Sequence, residues 1–348
     1  MIPVEITIPE SAVFSGTMTS STRNRGVLAY VTGAVLTALY AILYWKPELI
    51  GEPNRLWQYY TLVYTIFVCV FGVRQIRRYR KQKYHLYRTL TLVGVQLVLA
   101  FILPHLLRNS SHGEFYFSYF WPLKPEYLFP STIKGLVNSP DALRVFMGFW
   151  SIAMLVVATP VLTYFYGKRW YCSWVCGCGA LAETAGDGFR HLSSKSQLAW
   201  TIERWTIYPI LVVITVLTAL LWYLDINPDP TLQTHVATAN KIYGFVIGGL
   251  FSGVVGIGFY PILGSRVWCR FGCPMAAILG IMQKYMSRFR IETNGSQCIS
   301  CGNCSTYCEM GIDVRSYAQE GKDFKRASCV GCGVCVSVCP RGVLRTGS

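Results

Sequence analysis

Eight cysteines near the C-terminal end of the sequence have the spacing of metal-cluster ligands. They form two runs of the pattern Cys-x2-Cys-x2-Cys-x3-Cys, and Pro340 follows the second run. Thiolates separated by two residues can wrap one face of a four-iron cubane, whereas the fourth thiolate of each run lies too far along the chain and reaches the neighbouring cluster. The spacing therefore predicts two 4Fe-4S clusters. The first takes Cys298, Cys301, Cys304 and Cys339 as ligands, and the second takes Cys329, Cys332, Cys335 and Cys308.

Gly302, Gly331 and Gly333 lie between these ligands and let backbone N–H groups approach the sulfur atoms. The alternative of two zinc sites or disulfides does not require the same four-cysteine spacing twice. Residues 297–344 resemble the bacterial two-cluster ferredoxin, which implies a pseudo-symmetric pair of short hairpins and helices. One difference is Glu309, which follows the first run where that family usually has proline. We interpret its negative charge as one that lowers the potential of the second cluster.

Two further cysteine motifs follow predicted membrane helices. Residues 170–179 read WYCSWVCGCG, and residues 268–274 read WCRFGCP. A spacing of three intervening residues on a helix puts two thiols on one face, and the similar settings suggest an internal pseudo-repeat. Both motifs resemble the paired CxxxCP motifs of the membrane polyferredoxins of respiratory systems, and the resemblance runs from about Val145 to the C-terminal end. It implies electron transfer at the cytoplasmic membrane, often linked to quinones or to a periplasmic acceptor.

The first motif departs from that pattern, because Gly177 and an additional Cys178 follow Cys176 in place of proline. We consider three roles for the paired motif cysteines: a redox-active thiol or metal site that joins the two motifs, packing beside the cluster-binding tail, and a third iron-sulfur cluster. Cys69 stands alone in the second predicted helix and is interpreted as inert. The paired cysteines, called the membrane-surface thiols below, are Cys172, Cys176, Cys269 and Cys273.

Composition indicates that a membrane bundle positions these cysteines. Of 348 residues, 52% are apolar and 14% are charged, and 32 Lys and Arg against 17 Asp and Glu give a net charge of +15. The basic residues cluster at the ends of apolar runs, so we interpret them as topology signals and contacts with anionic membrane lipids, not as a nucleic-acid surface. Charge-free runs long enough to cross a hydrocarbon core of about 30 Å occur six times. They are residues 26–45, 56–73, 89–107, 145–167, 205–224 and 242–265.

The charges of the loops predict the orientation. Residues 74–88 carry seven Lys or Arg and residues 168–204 carry five, whereas residues 46–55 carry two. By the positive-inside rule the richer loops are cytoplasmic, and both termini are then cytoplasmic. The residues from Asp225 to Asn240 are predicted to form an outer loop. The aromatic, proline-rich stretch Glu114–Pro130 is predicted to lie at the outer interface or against a partner subunit.

The expected fold is an all-α integral membrane bundle of about six transmembrane helices with a C-terminal α+β two-cluster ferredoxin-like domain. We expect a cytoplasmic N-terminal segment (1–25), a transmembrane helical domain with the membrane-surface motifs (26–290) and a 2x[4Fe-4S] ferredoxin domain (291–348). His105 is the histidine that lies inside a predicted span, and we expect it to cap its helix or to contact a quinone head group. The sequence contains no dinucleotide fingerprint, phosphate-binding loop or CxxCH haem motif.

These observations lead to the hypothesis of a multi-pass electron-transfer protein in a bacterial-type inner membrane. It would pass electrons through its clusters between a cytoplasmic-side partner and the membrane quinone pool or a respiratory complex. A subunit of an oxidoreductase complex is favoured over a free-standing enzyme. The alternative is a cytochrome oxidase assembly or copper reduction factor that uses the membrane-surface thiols, and a third hypothesis is a structural anchor for a soluble oxidoreductase.

Overall fold

The computed structural model is mostly helical and describes residues 27–49, 56–80, 82–110 and 114–347. The predicted cytoplasmic segment 1–25 therefore lies outside the described residues. The α-helices are α1 Val27–Trp45, α2 Leu56–Tyr79, α3 Lys83–Leu97, α4 Leu103–Asn109, α5 Pro130–Val137, α6 Ala142–Ala153, α7 Thr159–Tyr166, α8 Arg169–Cys172, α9 Gly177–Glu183, α10 Gln197–Ile226, α11 Pro230–Tyr243, α12 Tyr260–Leu263, α13 Val267–Phe271, α14 Pro274–Tyr285, α15 Asn303–Thr306, α16 Val314–Glu320 and α17 Val334–Ser337. The strands are β1 Arg290–Thr293 and β2 Leu344–Gly347.

Five helical stretches among the described residues are long and apolar enough to cross a membrane. Three of them combine α-helix with π-helix, because the segments Val98–Ile102, Met154–Ala158 and Gly244–Gly258 continue their helices without a break. Helix α1 covers the first predicted span and contains no charged residue, but the count of six spans stays a prediction. The five stretches are Gln58–Tyr79, Lys83–Asn109, Ala142–Tyr166, Gln197–Ile226 and Pro230–Gly258.

Helix α10 sets the long dimension of the bundle, since its 30 residues extend over about 45 Å. Near its start, the Ser328 hydroxyl of the cysteine-rich tail donates a hydrogen bond to Glu203 at 2.6 Å. At its other end, the Ser131 hydroxyl of α5 donates to Asp225 at 2.6 Å. The tail and α5 therefore lie at opposite ends of the bundle.

The predicted outer loop from Asp225 to Asn240 is mostly helical. Asp229 accepts hydrogen bonds from the N–H groups of Thr231 and Leu232, and Pro230 occupies the first turn of α11. An acidic N-cap followed by proline is a strong helix start, so the helix begins well before the apolar run that defined the predicted span.

The aromatic segment Glu114–Pro130 enters the bundle, whereas the sequence predicts that it lies at the outer membrane interface or against a partner subunit. Phe120 is 2% exposed, and the Tyr171 hydroxyl donates a hydrogen bond to the carbonyl oxygen of Ser118 at 3.0 Å. Irregular backbone at membrane depth requires protein partners for its polar groups, and bonds of this kind supply them. The same aromatic composition suits a membrane interface and a packed core, which explains why composition alone did not distinguish them.

The tail, residues 290–347, packs directly against the membrane part of the chain. Its two strands pair antiparallel with Ile291 opposite Thr346, so the sheet ties the beginning of the tail to its end. Ile291 belongs to one continuous apolar core that also contains Trp170, Trp268 and Met275. The tail is therefore held by a shared core and not by a linker alone.

Candidate iron-sulfur centres

The two cysteine runs of the tail fold as matched halves. Ser300 and Gly302 have φ angles of 56° and 78°, and the equivalent Gly331 and Gly333 have φ angles of 62° and 77°. These left-handed positions turn the chain so that α15 and α17 each begin between the second and third cysteines of a run. Glycine occupies three of the four positions because left-handed backbone costs other residues about 1–2 kcal/mol.

Each half of the tail contributes to two cavities, which contain about 350 and 370 Å³ of empty space, part of it open to solvent. The first three cysteines of a run line one cavity, and the last cysteine lines the other. Cys298, Cys301, Cys304 and Cys339 line the first cavity, and Cys308, Cys329, Cys332 and Cys335 line the second. This is the grouping that the spacing predicts, and the ligand roles themselves stay predictions.

The chemistry of both cavities fits a thiolate-bound iron cluster. The N–H of Ile312 donates to Cys308 Sγ at 3.4 Å, and the N–H of Val343 donates to Cys339 Sγ at 3.3 Å. Such bonds stabilise anionic sulfur. Burial raises the pKa of the Cys329 thiol to about 11, so a thiolate there at neutral pH requires a nearby cation such as cluster iron.

The two cavities lie in different surroundings. Cys301 of the first cavity is exposed, and the guanidinium groups of Arg315 and Arg341 line the same opening. The second cavity faces the membrane part of the chain, where the Tyr84 hydroxyl donates to the carbonyl oxygen of Gly331 at 3.0 Å. The pair of cavities therefore leads from the solvent side of the tail to the end of the helix bundle.

The membrane-surface motifs are related by an internal repeat. Gly167 and Gly264, with φ angles of 63° and 95°, lie five residues before Cys172 and Cys269 respectively, and each breaks a helix just before its motif. Each motif then forms a short helix, α8 or α13, and its second cysteine is the N-cap of the next helix. Helix N-termini stabilise negative charge, but burial raises the pKa of the Cys273 thiol well above its usual range.

The structure brings all four membrane-surface thiols into one buried cluster. Arg266 donates hydrogen bonds to the Cys172 carbonyl oxygen at 2.9 Å and to Cys269 Sγ at 3.7 Å. Burial raises the pKa of Cys172 to about 12, whereas a hydrogen bond from the additional thiol of Cys178 lowers the pKa of Cys176 to about 7. Arginine and helix N-termini thus provide positive charge around these sulfur atoms.

The spacing of these thiols is wider than a single metal ion requires. In the part of the chain that the structure describes, the one set of three or more potential ligand atoms within 4.8 Å of one another is Glu183, Glu309 and Cys332. A tetrahedral ion about 2.3 Å from each sulfur would bring its ligands within roughly 4 Å of each other. The cysteines described by the structure also form no disulfide. The membrane-surface thiols share this open spacing with the cysteines of the two tail cavities.

A buried ion cluster joins the tail to the membrane-surface motifs. Arg190 donates to Glu183 at 2.5 Å and to Glu309 at 2.6 Å, and Arg266 pairs with the same two carboxylates at 2.8 and 3.1 Å. Burial alone would raise the pKa of Glu183, but the surrounding guanidinium groups hold it well below its usual range. The members of this cluster are Arg88, Arg190, Arg266, Glu183, Asp187 and Glu309, together with the partly exposed Arg78, which pairs with Asp187 at 2.8 Å.

The ion cluster was not predicted from the sequence. Arg88 lies in a basic loop that we interpreted as a topology signal, yet its side chain is fully buried and pairs with Glu183 at 2.6 Å. Glu309 was singled out, but as a free negative charge, and the structure instead pairs it with two arginines. The one signal that points to the cluster is a carboxylate at the position where the ferredoxin pattern has proline.

Other residues singled out in the sequence lie outside these centres. Cys69 is half-buried within α2. His105 is exposed near the end of α4, and its ring nitrogen forms a hydrogen bond with the side chain of Asn109 at 3.3 Å. His85 was not singled out, although it is buried at the start of α3 and bonds the hydroxyl of Ser337 in the tail at 2.5 Å.

Comparison with known proteins assigns iron-sulfur sequence to both parts of the chain. The profile of the family described as 4Fe-4S dicluster domain matches residues 297–344. The profile described as 4Fe-4S binding domain matches twice, at residues 147–196 and 245–292, which are the two segments that carry the membrane-surface motifs. No solved structure matches the chain.

Three curated relatives cover similar portions of the chain. YccM of Escherichia coli, which carries the name of an electron transport protein, is 26% identical over 54% of this chain and 55% of its own length. The methylamine utilization ferredoxin-type protein MauN of Methylobacillus flagellatus is 27% identical over 50% and 62%. The ferredoxin-type protein NapH of Escherichia coli is 30% identical over 44% and 51%.

The chain thus spans about half to three fifths of the length of the curated relatives it matches. Its apolar helices indicate a multi-pass membrane protein, and its relatives are ferredoxin-type electron-transport proteins. The 4Fe-4S domain sequence in the tail and in both membrane-surface motifs, together with these relatives, supports the resemblance of the chain to the membrane polyferredoxins.

Proposed function

We propose that this protein carries electrons between a partner on the cytoplasmic side and the membrane quinone pool or a respiratory complex. The observation that carries the proposal is the pair of four-thiol cavities, of which one opens to solvent and the other faces the helix bundle. Bound 4Fe-4S clusters supply one-electron chemistry. The chain's own residues hold the thiolates and donate N–H groups to sulfur.

We propose a third 4Fe-4S centre on Cys172, Cys176, Cys269 and Cys273. Three features support it: the four thiols are buried in one core, positive charge surrounds them, and no three of them lie within 4.8 Å of one another, which is wider than a single tetrahedral ion requires. The matches of an iron-sulfur family profile to both motifs point the same way. With three centres, electrons pass from the tail into the membrane part of the chain.

The cytoplasmic orientation of the tail and both termini is part of this proposal. It is supported by the basic loops at the same end of the bundle as the tail. A redox partner subunit on this side and a quinone or a respiratory complex in the membrane would complete the route. This division of roles suits a subunit of a larger complex better than a free-standing enzyme.

Iron analysis of protein purified anaerobically in mild detergent tests the proposal. We expect about twelve irons per chain, as three four-iron clusters require. The variants Cys172→Ser and Cys269→Ser should lower this to about eight while the EPR signals of the tail persist. The matched control Cys69→Ser should keep all the iron, because Cys69 lies in α2 away from the centres. An iron-free tail in the wild type would refute the electron-carrier function.

The second candidate function is oxidase assembly or copper reduction at the membrane-surface thiols. The additional thiol of Cys178, which donates a hydrogen bond to Cys176, is the observation that favours it, because neighbouring thiols bind soft metals. This alternative predicts that the wild type binds copper and that Cys172→Ser does not. It also predicts only about eight irons per chain in the wild type and in the variant, and that result would exclude the third cluster.

A further inference from the structure

The carboxylate of Glu309 connects the tail to the membrane part of the chain. Glu309 directly follows Cys308, which lines the second cavity, and the Glu309 side chain is fully buried. One carboxylate oxygen accepts from Arg190 Nη1 at 2.6 Å, and the other pairs with Arg266 Nε at 3.1 Å. The backbone carbonyl oxygen of Glu309 also accepts from the Ser193 hydroxyl at 2.7 Å. All three partners lie in the membrane-side chain, far away in sequence.

Arg266 extends this connection to the membrane-surface thiols. The guanidinium group that pairs with Glu309 also donates to Cys269 Sγ at 3.7 Å and to the Cys172 carbonyl oxygen at 2.9 Å. One side chain therefore contacts a residue next to the second cavity and two residues of the membrane-surface motifs. This gives a continuous series of short contacts from Cys308 to Cys269.

The other side of the ion cluster reaches the second cavity itself. Oxygens of Glu183 and Glu309 lie within 4.8 Å of Cys332 Sγ and of each other. The cluster contains the four arginines Arg78, Arg88, Arg190 and Arg266 and three carboxylates, so removal of Glu309 would leave its positive charge still less compensated. An uncompensated buried charge is strongly unfavourable, and the guanidinium groups therefore hold Glu309 in place.

We propose that Glu309 is a positioning residue that locks the second cavity against the membrane-surface thiols, so that electrons pass directly between the tail and the membrane part of the chain. The inference rests on the proposed iron-sulfur function. It adds a structural role to the interpretation of Glu309 as a charge that lowers the potential of the second cluster, because the same carboxylate pairs with two arginines of the membrane part. Electron transfer falls steeply with distance, so the rate depends on this contact.

The test uses full-length protein purified anaerobically in mild detergent, in three forms besides the wild type. Glu309→Gln removes the charge and keeps the shape, and Glu309→Pro installs the residue typical of ferredoxins and so preserves the fold of the tail. Glu320→Gln is the matched control, since it removes an exposed tail carboxylate that pairs with Lys322. The readouts are iron content, midpoint potentials, amide hydrogen exchange, and the rate at which a reduced tail passes electrons to the membrane-surface centre by freeze-quench EPR.

We expect both Glu309 variants to keep the iron of the tail. Amide exchange at residues 187–195 and 308–312 should accelerate at least about tenfold, because these segments open when their contact is lost. Electron transfer out of the tail should slow by about the same factor, whereas Glu320→Gln should match the wild type.

Exchange and transfer rates equal to those of Glu320→Gln in both Glu309 variants would overturn the inference. So would a shifted potential of the second cluster with unchanged exchange, which would make Glu309 a tuning charge. A wild type with only about eight irons would remove the proposed third centre. The amide-exchange rates of the Glu309 variants would then test the positioning role of Glu309 without the third centre. Failure of the proposed third centre and failure of the positioning role can therefore be told apart.

Discussion

Arg190 Nη2 lies 2.5 Å from Glu183 Oε2, and both side chains are 1% exposed. Glu183 also pairs with Arg88 and Arg266, so one carboxylate balances several buried guanidinium groups. A buried ion pair that loses one partner leaves the other charge without compensation, at a cost of about 3–5 kcal/mol. The stability of the whole chain should therefore depend on this residue more than on any surface charge.

The first prediction concerns Glu183→Gln. We expect it to lower the free energy of unfolding in mixed micelles by about 3–5 kcal/mol, measured by denaturant titration. The control is Glu126→Gln, which removes a carboxylate paired with Lys124 at 2.9 Å on the surface. That change should cost less than about 1 kcal/mol, and equal losses in the two variants would contradict the role of the ion cluster.

The second prediction concerns pH. The arginines hold the pKa of Glu183 below that of an ordinary carboxyl group despite its burial. A depressed folded-state pKa contributes stability that is present above the unfolded pKa and is lost only as the pH falls through the folded value. The stability difference between the wild type and Glu183→Gln should thus be the same at pH about 7 and about 5. A difference that shrinks markedly over this range would show that the carboxyl group is protonated there.

The third prediction compares two glycines of the tail with nearly the same backbone. Gly331 and Gly342 have φ angles of 62° and 61°, so alanine at either site costs about 1–2 kcal/mol of strain. A Cβ at Gly331 would lie 2.7 Å from the Cβ of Arg169, whereas nothing lies within 4 Å at Gly342. Gly331→Ala should lower the free energy of unfolding by about 1–3 kcal/mol more than Gly342→Ala does, and it should reduce the iron bound in the second cavity. Similar unfolding energies and iron contents in the two variants would refute the close packing of Gly331 against Arg169.

The fourth prediction tests the contact between the aromatic segment and the membrane-surface motif. A Cβ at Gly177 would lie 2.7 Å from the Tyr119 hydroxyl and 2.9 Å from the Tyr64 hydroxyl. Gly177→Ala should therefore destabilise the protein by about 1–3 kcal/mol and lower the iron bound beyond the tail. Gly188→Ala, which meets no atom within 4 Å, should change the unfolding energy by at most about 0.5 kcal/mol. Equal unfolding energies for Gly177→Ala and Gly188→Ala would contradict the contact between the aromatic segment and the membrane-surface motif.

The fifth prediction addresses the orientation in the membrane. Lys322 is exposed on the tail, and Lys134 is exposed on α5 at the opposite end of the bundle. A membrane-impermeant amine reagent should label Lys134 in spheroplasts and Lys322 in inverted vesicles, as read by peptide mass spectrometry. The reverse pattern would place the tail outside and would contradict the orientation taken from the basic loops.

Local spacing in the sequence predicted the cavities of the tail well, because cluster ligands within a run are set by a few adjacent residues. The same spacing of cysteines also predicted that Cys339 and Cys308 each lie in the cavity of the opposite half. The repeat between Cys172 and Cys269 was likewise visible as two similar motifs. These features need no knowledge of distant contacts.

The ion cluster and the aromatic segment required the three-dimensional structure. Arg88 and Arg190 lie in basic stretches that the positive-inside rule explains equally well, and nothing local shows that they are buried. Phe120 and its neighbours fit either an interface or a core. Burial of this kind depends on which distant segments meet, and a single sequence does not show that.

The chain order of the ion cluster has a consequence for biogenesis. Arg88, Arg190 and Arg266 leave the ribosome before Glu309, so during synthesis the guanidinium groups outnumber their carboxylate partners. We therefore expect the bundle to close fully only after the tail has been translated and packed against it. A chain that stops short of its tail would leave Arg190 and Arg266 without their Glu309 partner.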